Sequence, residues 1–174
     1  AEFKNSEPSK LTACLLDRPR HKKIIDELKD LNVNLFLISD GDVSGALLVS
    51  KPEYKVDIFL GIGGGPEGVL AASALDTHNC HFQGRFIFDR DEDIKTAKKI
   101  GISDLNKKYE LNEIVKGDSI FCATAITDCM PNSSIKGVIK KSKSSFFTET
   151  IFTHKSSDNK GVIKKEIIFD DTKK

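Results

Sequence analysis

The sequence predicts an α/β fold: a mostly parallel sheet with helices on both faces and antiparallel strands toward the C-terminus. Two observations carry this. Over the first two-thirds of the chain, short apolar runs alternate with segments whose apolar residues recur at helical spacing. In the last third the helical period disappears, and strand-like pieces follow one another between Ser, Asp, Asn and Gly.

The elements follow in order. TACLLD (12–17) is a buried strand, and HKKIIDELKDL (21–31) sets Ile24, Ile25, Leu28 and Leu31 on one helical face. VNLFLIS (33–39) is the second strand; DGDVSGALLV (40–49) turns and enters a helix. VDIFLGI (56–62) is a third strand, followed by a helix through PEGVLAASAL (66–75). FQGRFIFD (82–89) reads as a fourth strand. DEDIKTAKKIGI (91–102) reads as a helix, with acids in its first turn and lysines near its end, as the helix dipole prefers. SIFCATAIT (119–127) is a strand, and IKGVIKK, SSFFTETIFTH and GVIKKEIIF supply antiparallel strands at one edge of the sheet.

Composition narrows the function classes. With 174 residues and 39% hydrophobic content, the chain can bury one ordinary core. Its 27 basic and 26 acidic side chains alternate, which argues against nucleic acid or an anionic membrane as partner. No run approaches the roughly 20 apolar residues of a membrane span, so a soluble protein is expected. Cys14, Cys80, Cys122 and Cys129 form no C-x-x-C pair and read as buried thiols of a cytoplasmic protein. His78, Cys80 and His81 are spaced too tightly for a usual zinc site. The chain opens AEFKNSEPSK, and its only methionine is Met130. It is therefore expected to be a piece of a longer protein, with residues 1–10 a linker and 11–174 a domain.

In open α/β sheets, ligands bind beyond the carboxyl ends of the strands. Three such ends carry polar clusters here. Asp17-Arg18-Pro19-Arg20-His21 flanks a rigid proline with two guanidinium groups, whose planar forks suit phosphate. Asp40-Gly41-Asp42 offers carboxylates to sugar hydroxyls or metal, or is a turn and helix cap. Gly63-Gly64-Gly65-Pro66-Glu67-Gly68 formally matches a dinucleotide fingerprint, which makes a dinucleotide-binding module using Gly63, Gly65 and Gly68 the alternative reading. Pro66 and Glu67 oppose it: one removes an N–H, the other sets a negative charge where pyrophosphate would sit. A divalent cation between Glu67 and phosphate oxygens reconciles the pattern. Phosphate, polyol and metal together describe a sugar-phosphate enzyme.

The chain also resembles a known family. R-P-R-H, DGDV, VDIFLGIGG-x-PEGV-x-AA, QGR, IF-x-AT-x-IT and TET occur here in the order found in class II fructose-1,6-bisphosphatases, the metal-dependent phosphatases of bacterial gluconeogenesis. The resemblance runs from about residue 11 to about residue 168 and covers only the C-terminal half of the family's length. It implies the layered sandwich of the sugar-phosphatase superfamily and a cytoplasmic hydrolase, homo-oligomeric when whole. The implied reaction is hydrolysis of the 1-phosphate of fructose 1,6-bisphosphate, with sedoheptulose 1,7-bisphosphate a further substrate of some members. Residue by residue, it implies that Arg18, Pro19 and Arg20 hold the distal phosphate. Asp40, Gly41 and Asp42 contact the sugar, Gly64 lies against the substrate, and Glu67 is a ligand to Mg2+ or Mn2+. Arg18, Gly65 and Ala125 stand where lysine, alanine and glycine are common. The family's G-E-G-E and D-P-x-E-G metal segments have no match, so the N-terminal half is the implied partner, and this chain alone is expected to be inactive.

Overall fold

The computed structural model describes residues 1–128 and 136–169. Strand β1 (Thr12–Leu16) is the middle of a three-stranded parallel sheet, flanked by β2 (Asn34–Ile38) and β3 (Ile58–Phe59). Thr12 faces Asn34 and Leu16 faces Ile38 in register, while Ala13 and Cys14 face Ile58 and Phe59. Four of the five β1 residues are buried, the near-continuous apolar strand that a sheet covered on both faces requires.

Helices do cover both faces. Ala13 and Leu15 turn toward α1 (Lys22–Asp30), packing with Ile25 beside Ile24, Leu28 and Leu35. Cys14 turns the other way, against Leu48 and Val56, next to α2 (Asp42–Leu47). Gly45 lets α2 seat on this face. A Cβ there would lie 2.7 Å from both Ile38 Cδ1 and Phe59 Cε2. Leu31, expected on the apolar face of α1, caps that helix and is 59% exposed.

Helix α3 (Gly65–Asp76) joins the two halves of the core. Ala71, Ala74 and Leu75 cluster with Ala46 and Leu47 of α2 and with Phe121. Phe121 belongs to β6 (Ile120–Thr124), which pairs antiparallel with β8 (Ser145–His154). β8 also pairs with β7 (Ile139–Lys140) and, over ten residues, with β9 (Asn159–Ile168). The order is therefore α1, parallel sheet, α2 with α3, then antiparallel sheet.

Three sequence expectations are corrected. The C-terminal strands build a sheet of their own and do not extend the edge of the parallel one. This sheet has more paired residues than the parallel sheet, so the fold is mixed and not mostly parallel. The fourth strand expected at 82–89 shrinks to β4 (Gln83–Gly84), which pairs antiparallel with β5 (Tyr109–Glu110) outside the parallel sheet. Gly84 and Arg85 interrupt the apolar run, and Phe86 and Ile87 stay about half exposed. The remaining helices are α4 (Asp91–Lys99) and α5 (Leu111–Ile114), the latter closed by a capping box between Glu110 and Glu113. In α4 the acids open the helix and the lysines close it, as expected. The opening segment, read as a linker, forms two short turns; Lys4 pairs with Asp57, and Asn34 Nδ2 donates to the Ser9 carbonyl.

The cysteines differ in burial. Burial pushes the Cys14 thiol up to about 11 and also raises Cys80. Cys122, expected to be buried, is exposed. It faces Phe152 on the side of the antiparallel sheet turned away from α3, because Phe121 and Ala123 take the inner side. Cys129 lies outside the described residues. No helix among the described residues is long and apolar enough to cross a membrane.

The far end of α3 is fastened by charge. Asp76, 3% exposed, accepts from Ser119 Oγ at 2.7 Å and pairs with Lys155 at 2.5 Å. Nearby, Ser156 Oγ donates to Asp118 at 2.6 Å and His154 Nε2 meets the same oxygen at 2.6 Å. The bond from Ser156 and then that from His154 hold the Asp118 carboxyl at about 2. Its folded value lies below the unfolded one, so the stabilisation is complete above about pH 4 and is lost as pH falls toward 2. Asp118→Asn should therefore flatten the acid limb of a stability-against-pH curve in that window. An unchanged limb in thermal melts from pH 5 to 2 would remove this network as a cause of acid sensitivity.

Candidate functional site

Because β1, β2 and β3 run parallel, their carboxyl ends share one edge, and β1, the central strand, brings its turn between the other two. The chain leaves β1 through Asp17, whose N–H donates to the Ile38 carbonyl at the end of β2. Pro19 then starts a short 3-10 turn, Pro19–His21, that leads into α1. The three clusters singled out in the sequence thus meet.

Arg20 touches both neighbouring strand ends. Its Nε donates to the Ile62 carbonyl after β3, and its terminal nitrogen lies 4.0 Å from Asp42 Oδ1 after β2. Arg18 lies 3.6 Å from Asp40 Oδ1. The charges alternate across an open shelf, with Arg18 and Arg20 each a little over two-fifths exposed and Asp40 87% exposed. At this exposure such pairs contribute ~0–1 kcal/mol, so the guanidinium groups remain free to take an anion.

Gly41 turns the chain into α2 with φ +92°, where a Cβ would also meet Ser44 Oγ at 2.3 Å. Ser44 Oγ donates back to the Gly41 carbonyl, and the Gly41 N–H donates to Asp40 Oδ1 at 2.9 Å. The turn expected of Asp40-Gly41-Asp42 is present, but the N-cap of α2 is Gly41 and neither aspartate side chain caps the helix. Asp40 makes the turn, while Asp42 points across to Arg20.

Gly64 is the N-cap of α3, and Glu67 stands in the first helical turn. A Cβ on Gly64 would lie 2.3 Å from Glu67 Oε2, so the missing side chain is the space into which the carboxylate folds. Glu67 is exposed, and among the described residues it makes no hydrogen bond or ion pair. This fits a single metal ligand and also blocks the helix N-terminus against a pyrophosphate. A complete Mg2+ or Mn2+ site is a different matter. Among the described residues no three His, Cys, Asp or Glu side chains converge on one point, and these ions require near-octahedral oxygen coordination. His78, Cys80 and His81 form no such cluster either; the His81 ring packs on Phe3.

A further residue at this edge is His21, with which the helical segment HKKIIDELKDL begins in the sequence. His21 is fully buried, with Nδ1 2.8 Å from the Leu16 carbonyl and Nε2 accepting the Ile62 N–H at 2.8 Å. The sequence signal was faint: a histidine directly after the arginine pair, at the end of a buried strand.

The chain thus gathers guanidinium groups, carboxylates and a glycine turn at one edge of its parallel sheet, the class of arrangement that suits an anionic, hydroxyl-rich ligand. The comparisons narrow this class. The family model of bacterial fructose-1,6-bisphosphatase, glpX-encoded, matches residues 1–166, and the chain belongs to that family. It is similar to proteins named D-fructose 1,6-bisphosphatase class 2/sedoheptulose 1,7-bisphosphatase. The Trichodesmium erythraeum protein is 35% identical over 141 residues, which is 74% of this chain and 40% of that protein. The Crocosphaera subtropica protein is 36% identical over the same shares. That of Prochlorococcus marinus is 34% identical over 72% of this chain and 42% of its own length. The chain thus spans about two-fifths of these relatives. Family membership replaces the dinucleotide reading.

Proposed function

We propose that this chain is the substrate-binding part of a metal-dependent fructose-1,6-bisphosphatase. The whole enzyme would hydrolyse the 1-phosphate of fructose 1,6-bisphosphate to fructose 6-phosphate and phosphate in gluconeogenesis, and would also accept sedoheptulose 1,7-bisphosphate. The observation that carries this is the convergence of Arg18, Arg20, Asp40, Asp42 and the Gly64–Glu67 turn on one edge of the parallel sheet. Arg18 and Arg20, braced by Pro19, grip the phosphate that is not cleaved. Asp40 and Asp42, flanking Gly41, accept from the sugar hydroxyls. Gly64 admits the substrate close to the backbone, and Glu67 is this chain's ligand to Mg2+ or Mn2+. When bound, that ion polarises the phosphoryl oxygens and acidifies the attacking water.

The rest of the active site belongs to an N-terminal half that completes a layered sandwich. Two surfaces support such a partner. On the antiparallel sheet, the face away from α3 carries Ile120, Cys122, Phe152 and Ile163, with Ile120 70% and Ile163 52% exposed. On α3, Val69 and Leu70 are about half exposed although the helix is apolar around its circumference. Apolar surface of this extent is characteristic of an interface. The assembled enzyme is a cytoplasmic homo-oligomer in this reading. Replacing Asp40 or Asp42 by Ala in the whole enzyme should weaken sugar-bisphosphate turnover while leaving the metal titration in place. A shift of the metal titration as large as that of the substrate would make them metal ligands.

A further inference from the structure

We propose that His21 is a positioning residue for sugar-phosphate binding: its neutral ring locks the arginine turn to the glycine turn. The proposal rests on the sugar-phosphate reading of the same shelf. His21 does not face the shelf. It is 0% exposed and lies beneath it, between the end of β1 and the backbone that follows β3.

The ring meets backbone on both sides. Nδ1 is 2.8 Å from the Leu16 carbonyl oxygen, and the Ile62 N–H donates to Nε2 at 2.8 Å. Nε2 also lies 3.2 Å from the Ile62 carbonyl oxygen. The neutral tautomer with its proton on Nδ1 satisfies the two shorter contacts, whereas a proton on Nε2 could turn only to that more distant carbonyl, which Arg20 Nε already takes. The other tautomer sets a lone pair against the Leu16 carbonyl and an N–H against the Ile62 N–H. Two successive residues of one turn therefore hold the peptide groups on both sides of Ile62.

Ile62 is the last residue with a side chain before Gly63-Gly64-Gly65. A run of three glycines has no side chains to brace it and many conformations open to it. Its position is set from its ends. On one side α3 begins, and on the other Ile62 is clamped by His21 and Arg20. The same Arg20 offers its terminal nitrogens to the distal phosphate, and the same glycine turn carries Glu67. His21 thereby fixes the spacing between the phosphate grip and the carboxylate without touching either ligand.

The test uses the 15N-labelled 174-residue chain with fructose 6-phosphate as probe. Long-range 1H–15N spectra should find the His21 proton on Nδ1 with Nε2 bare, and the Ile62 amide should exchange slowly with solvent. A ring protonated on Nε2, or a fast-exchanging Ile62 amide, would overturn the proposal without any variant. In His21→Gln the amide oxygen can still accept from Ile62; in His21→Asn the shorter amide can serve only Leu16. Both variants should melt earlier than wild type. Affinity for fructose 6-phosphate should drop about tenfold or more in His21→Asn and stay within about threefold in His21→Gln. Affinities that follow the melting temperature in both variants, or change in neither, would reduce His21 to a structural residue and leave the sugar-phosphate reading intact. Failure of the wild-type chain to bind the probe would remove that reading and this role together.

Discussion

Glu67→Gln, in the enzyme completed by its N-terminal half, should lower the rate of fructose 1,6-bisphosphate hydrolysis by about a hundredfold or more. Losing residues that merely support metal ligands costs roughly 10- to 100-fold, and a ligand should cost at least as much. The substitution keeps shape and length, so the side chain still folds into the space over Gly64. What it removes is the charge. An amide oxygen is a poorer ligand for a hard cation, so raising Mn2+ should recover part of the rate. Folding stability should barely move, because among the described residues no protein group pairs with Glu67. Only its interaction with the helix dipole is lost, ~0.3–1 kcal/mol. A variant with full rate at unchanged metal concentration would show that Glu67 is only a first-turn helix acid.

Arg20→Ala should have the second largest effect, a fall of roughly 10- to 150-fold in kcat/KM for the bisphosphate, mostly through KM. That range corresponds to one lost charge-assisted contact of ~1.5–3 kcal/mol. Arg20→Lys sharpens the test. Lysine keeps the positive charge but has no Nε to donate to the Ile62 carbonyl, and it meets phosphate as a point charge. It should therefore recover only part of the loss. A substrate with a single phosphate should be hydrolysed within a few-fold of the wild-type rate by both variants. Equal losses on both substrates would place Arg20 elsewhere than at the distal phosphate.

Much of this was legible in the sequence, for reasons that can be stated residue by residue. TACLL is almost unbroken by polar groups because helices bury both of its faces, and the spacing of Ile24, Ile25 and Leu28 reports one of those helices. Once the strands are parallel, their carboxyl ends must share an edge. The parallel order therefore sets Arg20, Asp42 and Gly64 at one edge. Sheet membership was not legible. An apolar strand such as Ile120–Thr124 reveals that it alternates faces but not which strand it pairs with, and it joined Ser145–His154 in place of the parallel sheet. Cys122 was misjudged on the same ground. An apolar neighbourhood in sequence cannot tell the covered face of a sheet from the open one. His21 was hidden differently, since its role depends on the Ile62 backbone 41 residues away.

In the proposed function this chain binds the substrate of a fructose-1,6-bisphosphatase whose metal cage lies largely outside it. Phosphate release from fructose 1,6-bisphosphate tests this most directly, measured with Mg2+ or Mn2+ on the purified chain and again after it is joined to the N-terminal half of a relative. No hydrolysis by the chain alone and metal-dependent hydrolysis by the joined protein, abolished by chelation, are expected. Robust metal-dependent hydrolysis by the chain alone, or none by a folded joined protein, would contradict the proposed function.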